Sequence, residues 1–468
     1  MFKQKSLLIL MTIMISVLCY SSARAQGEEP NGPYYIVQEG DSLWQIAAHF
    51  GVTIEDLMKE NHISDASQLT VGARLIIPGL KGMDGQLTTI TVAYSDTLRS
   101  LSRYYGVSIE TLALLNHMVS PAELYSGYSL IVPVKKNQNP LSVRRINSLS
   151  GQSLLELAVL HNEDVWSLTL GNHLPGTWSS LAGDVIQVAG DDSQSSAPSG
   201  LPEAITQVEV NPAKILQGST TVIKVLAQPG ISMSGSLVDH ALTFFPQSNG
   251  YVSLQGIHAM TLPGIYPLVL QGVLSNGEHF AFAQNILVHS ADFAYDPSLT
   301  VDPVTVDPAV TGPENELWAS LGAKATPEKL WDGLFTSPVP AQFTNCWPSL
   351  FGNRRSYNGS TYDYFHAGLD FCGTVGTELY ASAIGRVVYT GLLIVRGNVV
   401  VIDHGWGVYT AYDHLSKILV QVNDMVQPGQ LVGLGGATGR TTGPHLHWEV
   451  WAGDVQVNPA EWLEKAYP

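Results

Sequence analysis

The sequence predicts a multidomain, mainly β protein that begins with small α+β repeats. A motif starting YIVQEGDSLWQIA recurs near the N-terminus, once clearly and once weakly. Further along the chain, runs rich in β-branched residues alternate with turn residues, a pattern typical of strands. The length of 468 residues corresponds to about three domains.

The N-terminus is predicted to be a secretory signal peptide that covers residues 1–25. Lys3 and Lys5 precede an apolar run from Leu7 to Leu18, and Ala23-Arg24-Ala25 has the small-x-small pattern of a cleavage site. The apolar run is too short to span a bilayer as an anchor. We therefore expect an exported product with no transmembrane anchor once the signal is removed.

Each N-terminal repeat is predicted to fold as strand, helix, helix, strand. Asp41-Ser42-Leu43 is matched by Asp96-Thr97-Leu98 fifty-five positions later, and a weaker copy around Gln152-Ser153-Leu154 follows after another fifty-six. Asp41 stands where a helix N-cap is expected, and apolar residues at helical spacing continue to Gly51. The predicted units are residues 34–79, residues 88–134 and a degenerate third copy at residues 141–189.

The middle of the chain is predicted to hold one further domain between two linkers. Residues 190–200 (GDDSQSSAPSG) form the first linker, because they are small and polar. Residues 201–293 contain strands such as TTVIKVLAQ separated by turn signals, which favours an immunoglobulin-like β-sandwich that acts as a spacer. Residues 294–330 contain repeated Asp-Pro pairs, which indicate an extended second linker.

The C-terminal region, residues 331–465, is predicted to be an antiparallel β-sheet domain with metal-binding side chains. His366 and Asp370 lie four residues apart, which places them on the same side of a strand or a helical turn. In PHLHWEV apolar and polar residues alternate as in a half-buried strand, so His445, His447 and Glu449 share one face. Imidazole and carboxylate groups are zinc ligands, and a catalytic zinc keeps three of them and one open position. Zinc-dependent hydrolysis is therefore the leading interpretation.

These motifs together resemble the lysostaphin-type or LytM-type zinc endopeptidases, which cut peptidoglycan. The resemblance covers roughly Trp331 to Leu463 and includes HAGLD, VIDHGWGVYTAYDHL and TGPHLHWEV in the order found in the family. It implies one zinc ion held by His366, Asp370 and His447, with His414 and His445 as the catalytic pair. All five positions hold the expected residue type, which favours an active enzyme.

The roles of the two catalytic histidines follow from metal chemistry, in which a nearby histidine accepts or returns a proton. We assign His445 as the general base and His414 as the group that stabilises the developing oxyanion, although the two roles could be exchanged.

Glu449 has two interpretations, either a partner that orients a ligand histidine or a solvated strand residue. Arg354 and Arg355 have two as well, a contact to a substrate carboxylate or charges on a solvated loop.

The N-terminal repeats resemble the LysM module, which binds glycans that contain N-acetylglucosamine. The resemblance implies glycan contacts from the loop formed by Gly40, Asp41, Ser42 and Leu43, although capping and core packing would explain the same residues equally well. The expected partners are the glycan strands of peptidoglycan and its peptide cross-links. The expected location is secreted, cell-wall associated or periplasmic.

The mature chain keeps two cysteines, Cys346 and Cys372, on either side of HAGLD. Because an exported protein meets an oxidising compartment, we predict a disulfide between them. Zinc ligation by the thiols and two free buried thiols remain alternatives.

The net charge of −17 argues against nucleic acid or an anionic membrane as a partner.

Two functions stay open. One is a zinc endopeptidase that its repeats localise on the cell wall. The other is a catalytically silent or latent wall-binding regulator that activates another hydrolase. The complete ligand set favours the first, and a peptidase directed at proteins is a weaker third possibility.

Overall fold

The computed structural model describes residues 32–80, 83, 85–134, 143–148, 152–181, 184–190, 201–202 and 204–468. The predicted signal peptide and most of the predicted linker at residues 190–200 lie outside the described residues. Within this part of the chain, no helix has the length and apolar character that a membrane span requires. The described residues divide into two compact units, of which the first contains those up to Thr89 together with residues 115–117 and 131–134.

The first repeat has the predicted order of strand, helix, helix and strand. It consists of β1 (Tyr34–Ile36), α1 (Leu43–Phe50), α2 (Ile54–Glu60) and β2 (Arg74–Ile76). Ser42, and not Asp41, is the N-cap of α1, because its side chain accepts a hydrogen bond from the Gln45 backbone. Asn61 joins the second helix to β2 by exchanging two hydrogen bonds with the backbone of Ile76, at 2.6 and 2.8 Å.

The other two repeats have the same element order. The second contains β3 (Gln86–Thr91), α3 (Leu98–Tyr105), α4 (Ile109–Leu115) and β4 (Ser129–Val134). The third contains β5 (Val143–Asn147), α5 (Leu154–Leu160), α6 (Val165–Gly171) and β6 (Val185–Ala189). Asn172 exchanges with Gln187 the same pair of hydrogen bonds that Asn61 makes, so the degenerate third copy keeps the fold of the first.

A β-sandwich follows the repeats, as predicted. Its strands are β7 (Ile205–Asn211), β8 (Ile215–Leu216), β9 (Thr220–Ala227), β10 (Ser232–Leu237), β11 (His240–Leu242), β12 (Phe245–Gln247), β13 (Gly250–Gly256), β14 (Gly264–Val273) and β15 (His279–His289). One sheet has the order β12-β13-β9-β7 and the other β11-β10-β14-β15-β8. In chain order these are the A-B-E-D and C-F-G arrangements of the immunoglobulin fold, with an added strand at each edge of the second sheet.

The C-terminal domain is built around one antiparallel sheet. Its strands are β16 (Arg354–Arg355), β17 (Tyr364–Phe365), β18 (Leu369–Cys372), β19 (Glu378–Tyr380), β20 (Gly385–Leu393), β21 (Gly397–Gly405), β22 (Val408–Leu415), β23 (Lys417–Ile418), β24 (Met425–Val426), β25 (Leu431–Leu434), β26 (His445–Ala452) and β27 (Val455–Val457). The main sheet has the order β18-β26-β22-β21-β20-β24, and β27 pairs with β26. A smaller sheet has the order β19-β25-β23.

The segment at residues 294–330 differs from the extended linker that the sequence indicates, because it contains helix α7 (Pro308–Gly322). Asp307 caps this helix by accepting a hydrogen bond from the Ala309 backbone, and Pro308 occupies the first helical position. The Asp-Pro pair is therefore a helix start. Trp318 and Leu321 of α7 pack on one face of the main sheet, against Val399, Val401, Tyr409, Ala411 and Trp451.

Because α7 covers that face, β26 is buried on both sides and not half-buried as its alternation predicts. Leu446, Trp448 and Val450 pack into the main core. On the opposite face Trp451 packs under α7, and Glu449 is 2% exposed.

The sandwich is more than a spacer, since it shares a core with the C-terminal domain. Val222, Val252 and Leu254 belong to the same buried cluster as strands of the C-terminal domain. Phe245 stacks on Trp406, with ring centroids 5.2 Å apart. A short helix, α8 (Pro459–Glu464), contacts the same cluster through Trp462, whose indole donates to Thr220 at 3.1 Å.

We expect Trp318→Ala to lower the free energy of unfolding by about 3–5 kcal/mol, because it removes a buried indole from the interface between α7 and the sheet. Glu316→Ala changes an exposed residue of the same helix and should stay within about 0.5 kcal/mol of wild type. Urea unfolding of the whole chain, followed by circular dichroism, measures both. A Trp318→Ala effect no larger than that of Glu316→Ala would contradict this packing.

Candidate metal centre

The metal-capable side chains meet where β18 pairs with β26. Asp370 lies directly opposite His447 in this antiparallel pair. His366 lies just before β18 and reaches the same point because Gly368 lets the chain pass close to β26. A Cβ atom at position 368 would lie 2.8 Å from the His447 ring and 2.6 Å from the Trp448 carbonyl oxygen. The glycine of HAGLD is therefore required by a close approach.

Three candidate ligand atoms lie close enough together to bind one metal ion. His366 Nε2 is 3.0 Å from Asp370 Oδ1 and 2.9 Å from His447 Nδ1, and the last two atoms are 2.9 Å apart. All three side chains are largely buried. Two imidazole nitrogens and one carboxylate oxygen are the donor set of a catalytic zinc site that keeps a position open for water.

The second nitrogen of each ligand histidine has its own partner, which leaves the first free to bind a metal. His366 Nδ1 donates to the Leu350 carbonyl oxygen at 2.9 Å, so the lone pair of Nε2 faces the site. His447 Nε2 lies 3.4 Å from Glu449 Oε1, so the lone pair of Nδ1 faces the site. Such partners fix the tautomer and the orientation of a metal ligand.

Glu449 is the functional residue that our sequence interpretation left undecided. It is 2% exposed and accepts hydrogen bonds from the indoles of Trp318, at 3.0 Å, and Trp451, at 2.7 Å. It is therefore a buried partner of His447 and not a solvated strand residue. The alternation of PHLHWEV already placed Glu449 on the ligand face. Its hydrogen bond with Trp318 could not be predicted in this way, because Trp318 comes from a segment far away in the sequence.

The ionisable groups around the centre shift one another's pKa values in directions that favour a positive charge there. Burial alone would raise the pKa of Asp370, but His366 and His447 together hold it well below its usual value. Burial alone would lower the pKa of His447, but the hydrogen bonds that its ring donates to Asp370 and Glu449 raise it to about 10. Burial beside Glu449 raises the pKa of Asp413 well above its usual value. The buried carboxylates thus favour positive charge at this point of the groove, which a bound divalent ion would supply.

His414 and His445 line the same groove as the ligands, and their ring centroids are 5.0 Å apart. His414 Nδ1 donates to the Thr438 carbonyl oxygen at 2.8 Å, and His445 Nδ1 donates to the Gly443 carbonyl oxygen at 2.9 Å. Each neutral ring therefore presents Nε2 as a proton acceptor. The backbone of His414 has a φ of 66°, and its N–H donates to the Arg396 carbonyl oxygen.

This pattern bears on the role of His414, which the sequence leaves exchangeable with that of His445. A neutral ring that donates through Nδ1 has no N–H left on Nε2 to offer an oxyanion. Burial lowers the pKa of His414 to about 3, and the neighbouring His447 and His445 act in the same direction. As the neutral ring, His414 donates only through Nδ1, to Thr438, and Nε2 is left to accept a hydrogen bond.

A groove of about 530 Å³ contains the centre. One wall comes from the segment 296–301, which the sequence indicates as a linker. This segment is bound to the 353–362 loop by backbone hydrogen bonds, such as Leu299 N–H to the Ser356 carbonyl oxygen at 2.9 Å. Arg355 lies in the groove, 3.0 Å from the Asp296 carboxylate, whereas the Arg354 guanidinium lies on the Phe293 ring.

Cys346 and Cys372 are joined by a disulfide, with Cα atoms 5.4 Å apart. Neither sulfur is therefore a free thiolate for zinc. The Cys372 N–H also donates to the Cys346 carbonyl oxygen, and the Asp370 N–H donates to that of Ser349. These bonds hold the 346–350 segment against β18, where Leu350 orients His366.

The predicted glycan-contact residues are largely occupied within the fold of the first repeat. The Leu43 side chain is 3% exposed and belongs to the core, so it is not a glycan contact. Asp41 accepts hydrogen bonds from the Tyr35 hydroxyl and the Gln38 backbone, while Ser42 caps α1. The sequence reasoning missed Trp44, whose indole is 66% exposed directly beside this loop.

Comparison with known proteins identifies domain families in the N-terminal and the C-terminal parts of the chain. Residues 364–459 match the description Peptidase family M23, and residues 35–78 and 90–133 match the description LysM domain. The chain therefore contains a peptidase family M23 domain and two LysM domains.

Several curated proteins are similar to the M23 part. Peptidoglycan DD-endopeptidase ShyA of Vibrio cholerae is 52% identical over 93 residues, which are 20% of this chain and 22% of that protein. DD-carboxypeptidase/endopeptidase Mpg of Neisseria meningitidis is 43% identical over 94 residues, again 20% and 22%. The match thus spans about a fifth of these relatives. The structure of lysostaphin from Staphylococcus simulans is 33% identical, with 21% of this chain and 44% of that chain covered and a TM-score of 0.21.

We expect Glu449→Gln to weaken zinc binding about 10- to 100-fold, because the variant loses the carboxylate that orients His447. Trp318→Phe, which removes only the indole N–H to Glu449, should weaken it less. Glu464→Gln, at an exposed position, is the matched control. Competition with a chromophoric chelator measures the dissociation constants, and an unchanged constant for Glu449→Gln would count against this role.

Proposed function

We propose that this protein is an exported zinc endopeptidase that binds peptidoglycan and hydrolyses peptide bonds in its cross-links or stem peptides. The observation that carries the proposal is the complete set of His366, Asp370 and His447 in one groove with His414 and His445. The name of one matched relative, a peptidoglycan DD-endopeptidase, supports the same substrate class, and the name of another, a DD-carboxypeptidase/endopeptidase, supports the same type of reaction. Such a substrate places the protein at the cell wall or in the periplasmic space.

His366 Nε2, Asp370 Oδ1 and His447 Nδ1 would hold the zinc. The bound ion would supply a Lewis acid that polarises the scissile carbonyl group and makes water more acidic. His414 and His445 both offer an Nε2 acceptor, so a water molecule between them can donate one hydrogen to each ring. That orientation leaves a lone pair of the water directed at the substrate.

We assign the first proton transfer to His445, because its side chain keeps 16% exposure whereas His414 is buried. Once protonated, His445 can return the proton to the leaving amine, as general acid–base catalysis requires. The neutral His414 holds the water in place. Glu449 keeps His447 in one tautomer throughout, since its carboxylate is fixed by two indole N–H groups.

The LysM domains would hold the enzyme on the glycan strands. Tethering raises the local concentration of cross-links at the groove without any new contact at the metal centre. Gly40 and Trp44 of the first repeat are both exposed and are available for a glycan.

We expect the chain from Gln26 to Pro468 to release new peptide ends from purified cross-linked peptidoglycan. The release should disappear in the presence of a chelator and in Asp370→Ala, because both remove the metal from the groove. Asp332→Ala, at an exposed position, should cut like wild type. Mass spectrometry of the muropeptides detects the ends and identifies the bond.

Absence of new ends with zinc-loaded wild type that still binds the same peptidoglycan would contradict the enzyme proposal. It would favour the alternative of a wall-binding regulator that activates another hydrolase.

A further inference from the structure

The groove beside the metal centre contains more positive charge than the metal chemistry uses. Three arginines line it, Arg355, Arg396 and Arg440. Arg355 lies 3.0 Å from the Asp296 carboxylate, and Arg396 donates to Glu314 at 2.7 Å. Both of these guanidinium groups are therefore neutralised by a carboxylate of the protein.

Arg440 differs from the other two. Among the described residues, no carboxylate lies within 4.0 Å of its guanidinium group, and Glu314 acts on it only at longer range. Glu314 is already engaged by Arg396 and by the backbone N–H groups of Ile394, Val395 and Arg396. Arg440 is thus a half-buried cation that lines the groove without a counter-ion from the protein.

The protein nevertheless holds Arg440 in a fixed position. Its backbone N–H donates to the Val395 carbonyl oxygen at 2.8 Å, and its Nη1 donates to the Thr305 carbonyl oxygen at 2.9 Å. The guanidinium carbon lies 4.3 Å from the centroid of the Tyr357 ring. These contacts engage one N–H group and one face of the guanidinium, which leaves further N–H groups available to a ligand.

We propose that Arg440 binds a carboxylate of the substrate peptide. A guanidinium group presents its N–H donors in a planar fork that fits a carboxylate, and such charge-assisted pairs are among the stronger hydrogen bonds. This subsite rests on the proposed peptidase function and refines its substrate class. The endopeptidase acts on peptides that carry a free carboxylate near the scissile bond.

The sequence limits how far this carboxylate lies from the reaction. Arg440 precedes His445 by five positions, and an extended chain spans at most about 3.6 Å per residue, so the two Cα atoms are no more than about 18 Å apart. An extended substrate rises about 3.3 Å per residue, so this distance corresponds to roughly five residues before the reach of the two side chains is added. Both a chain-terminal carboxylate and one within the stem peptide satisfy this limit.

Three substrates distinguish a chain-terminal carboxylate from one within the stem peptide. One is a purified cross-linked muropeptide with all carboxylates free, the second carries an amide at the chain terminus, and the third carries an amide at the carboxylate within the stem. We expect zinc-loaded wild type to lose about 10- to 100-fold in kcat/KM on one of the two amides, which is the loss of one charge-assisted pair. Arg440→Gln should cut all three at that lower rate, so its discrimination disappears.

Two further variants separate a specific role from a structural one. Arg440→Lys keeps the charge and loses the fork, so it should retain part of the preference for the free carboxylate. Arg386→Gln changes an exposed arginine of β20 that does not line the groove, and it should keep the wild-type preference. Zinc content and the urea midpoint of each variant show whether it has folded.

Wild type that cuts all three substrates within about twofold of each other would overturn this subsite and leave the peptidase function standing, whether or not Arg440→Gln folds. Discrimination that persists in folded Arg440→Gln would also overturn it. If wild type cuts none of the three, the proposed function fails and the subsite fails with it.

Discussion

The side chains of the metal centre depend on the register in which β26 pairs with its two neighbours. His447 lies opposite Asp370 of β18 on one side and opposite Asp413 of β22 on the other. Because strand side chains alternate with a period of two, a slip of one residue would send His447 into the core and bring Trp448 into the groove. Burial of both faces of β26 makes such a slip costly, since each face carries side chains suited to its own surroundings.

The same strand connects the metal centre to a segment that lies outside the M23 match. Helix α7 covers the ligand face of the sheet beyond the groove, and Trp318 donates to the carboxylate that orients His447. Glu314 of this helix also binds the turn that precedes β21, where the Arg396 carbonyl oxygen accepts the N–H of His414. Residues 294–322 therefore support His447 and His414, the proposed metal ligand and catalytic histidine, and they supply one wall of the groove.

The sequence was sufficient where the relevant pattern is local. The spacing of His366 and Asp370 and the alternation of PHLHWEV indicated the ligand face, and the repeated motif indicated the fold of the N-terminal units. The immunoglobulin-like sandwich followed from strand runs and turn residues. Each of these inferences depends on residues close together in the chain, where periodicity reports directly on geometry.

The sequence failed where the deciding contact is distant. Nothing near Asp307 shows that the helix after it lies on a sheet formed by residues 385–452, so the Asp-Pro pairs were interpreted as a spacer. The half-buried prediction for β26 failed for the same reason, because α7 supplies the second buried face. The oxyanion role of His414 could not be judged without the Thr438 carbonyl oxygen, which lies twenty-four positions away and fixes the tautomer.

The central claim is that β26 and β18 hold one zinc ion whose protein ligands are His366, Asp370 and His447. Anomalous diffraction from crystals of the zinc-loaded chain, recorded on both sides of the zinc absorption edge, tests it most directly. The account predicts one peak per chain, in contact with His366 Nε2, Asp370 Oδ1 and His447 Nδ1, with Glu449 still bound to the far nitrogen of His447. A zinc peak bound by Asp413 or Glu449, or no peak in the groove, would contradict it.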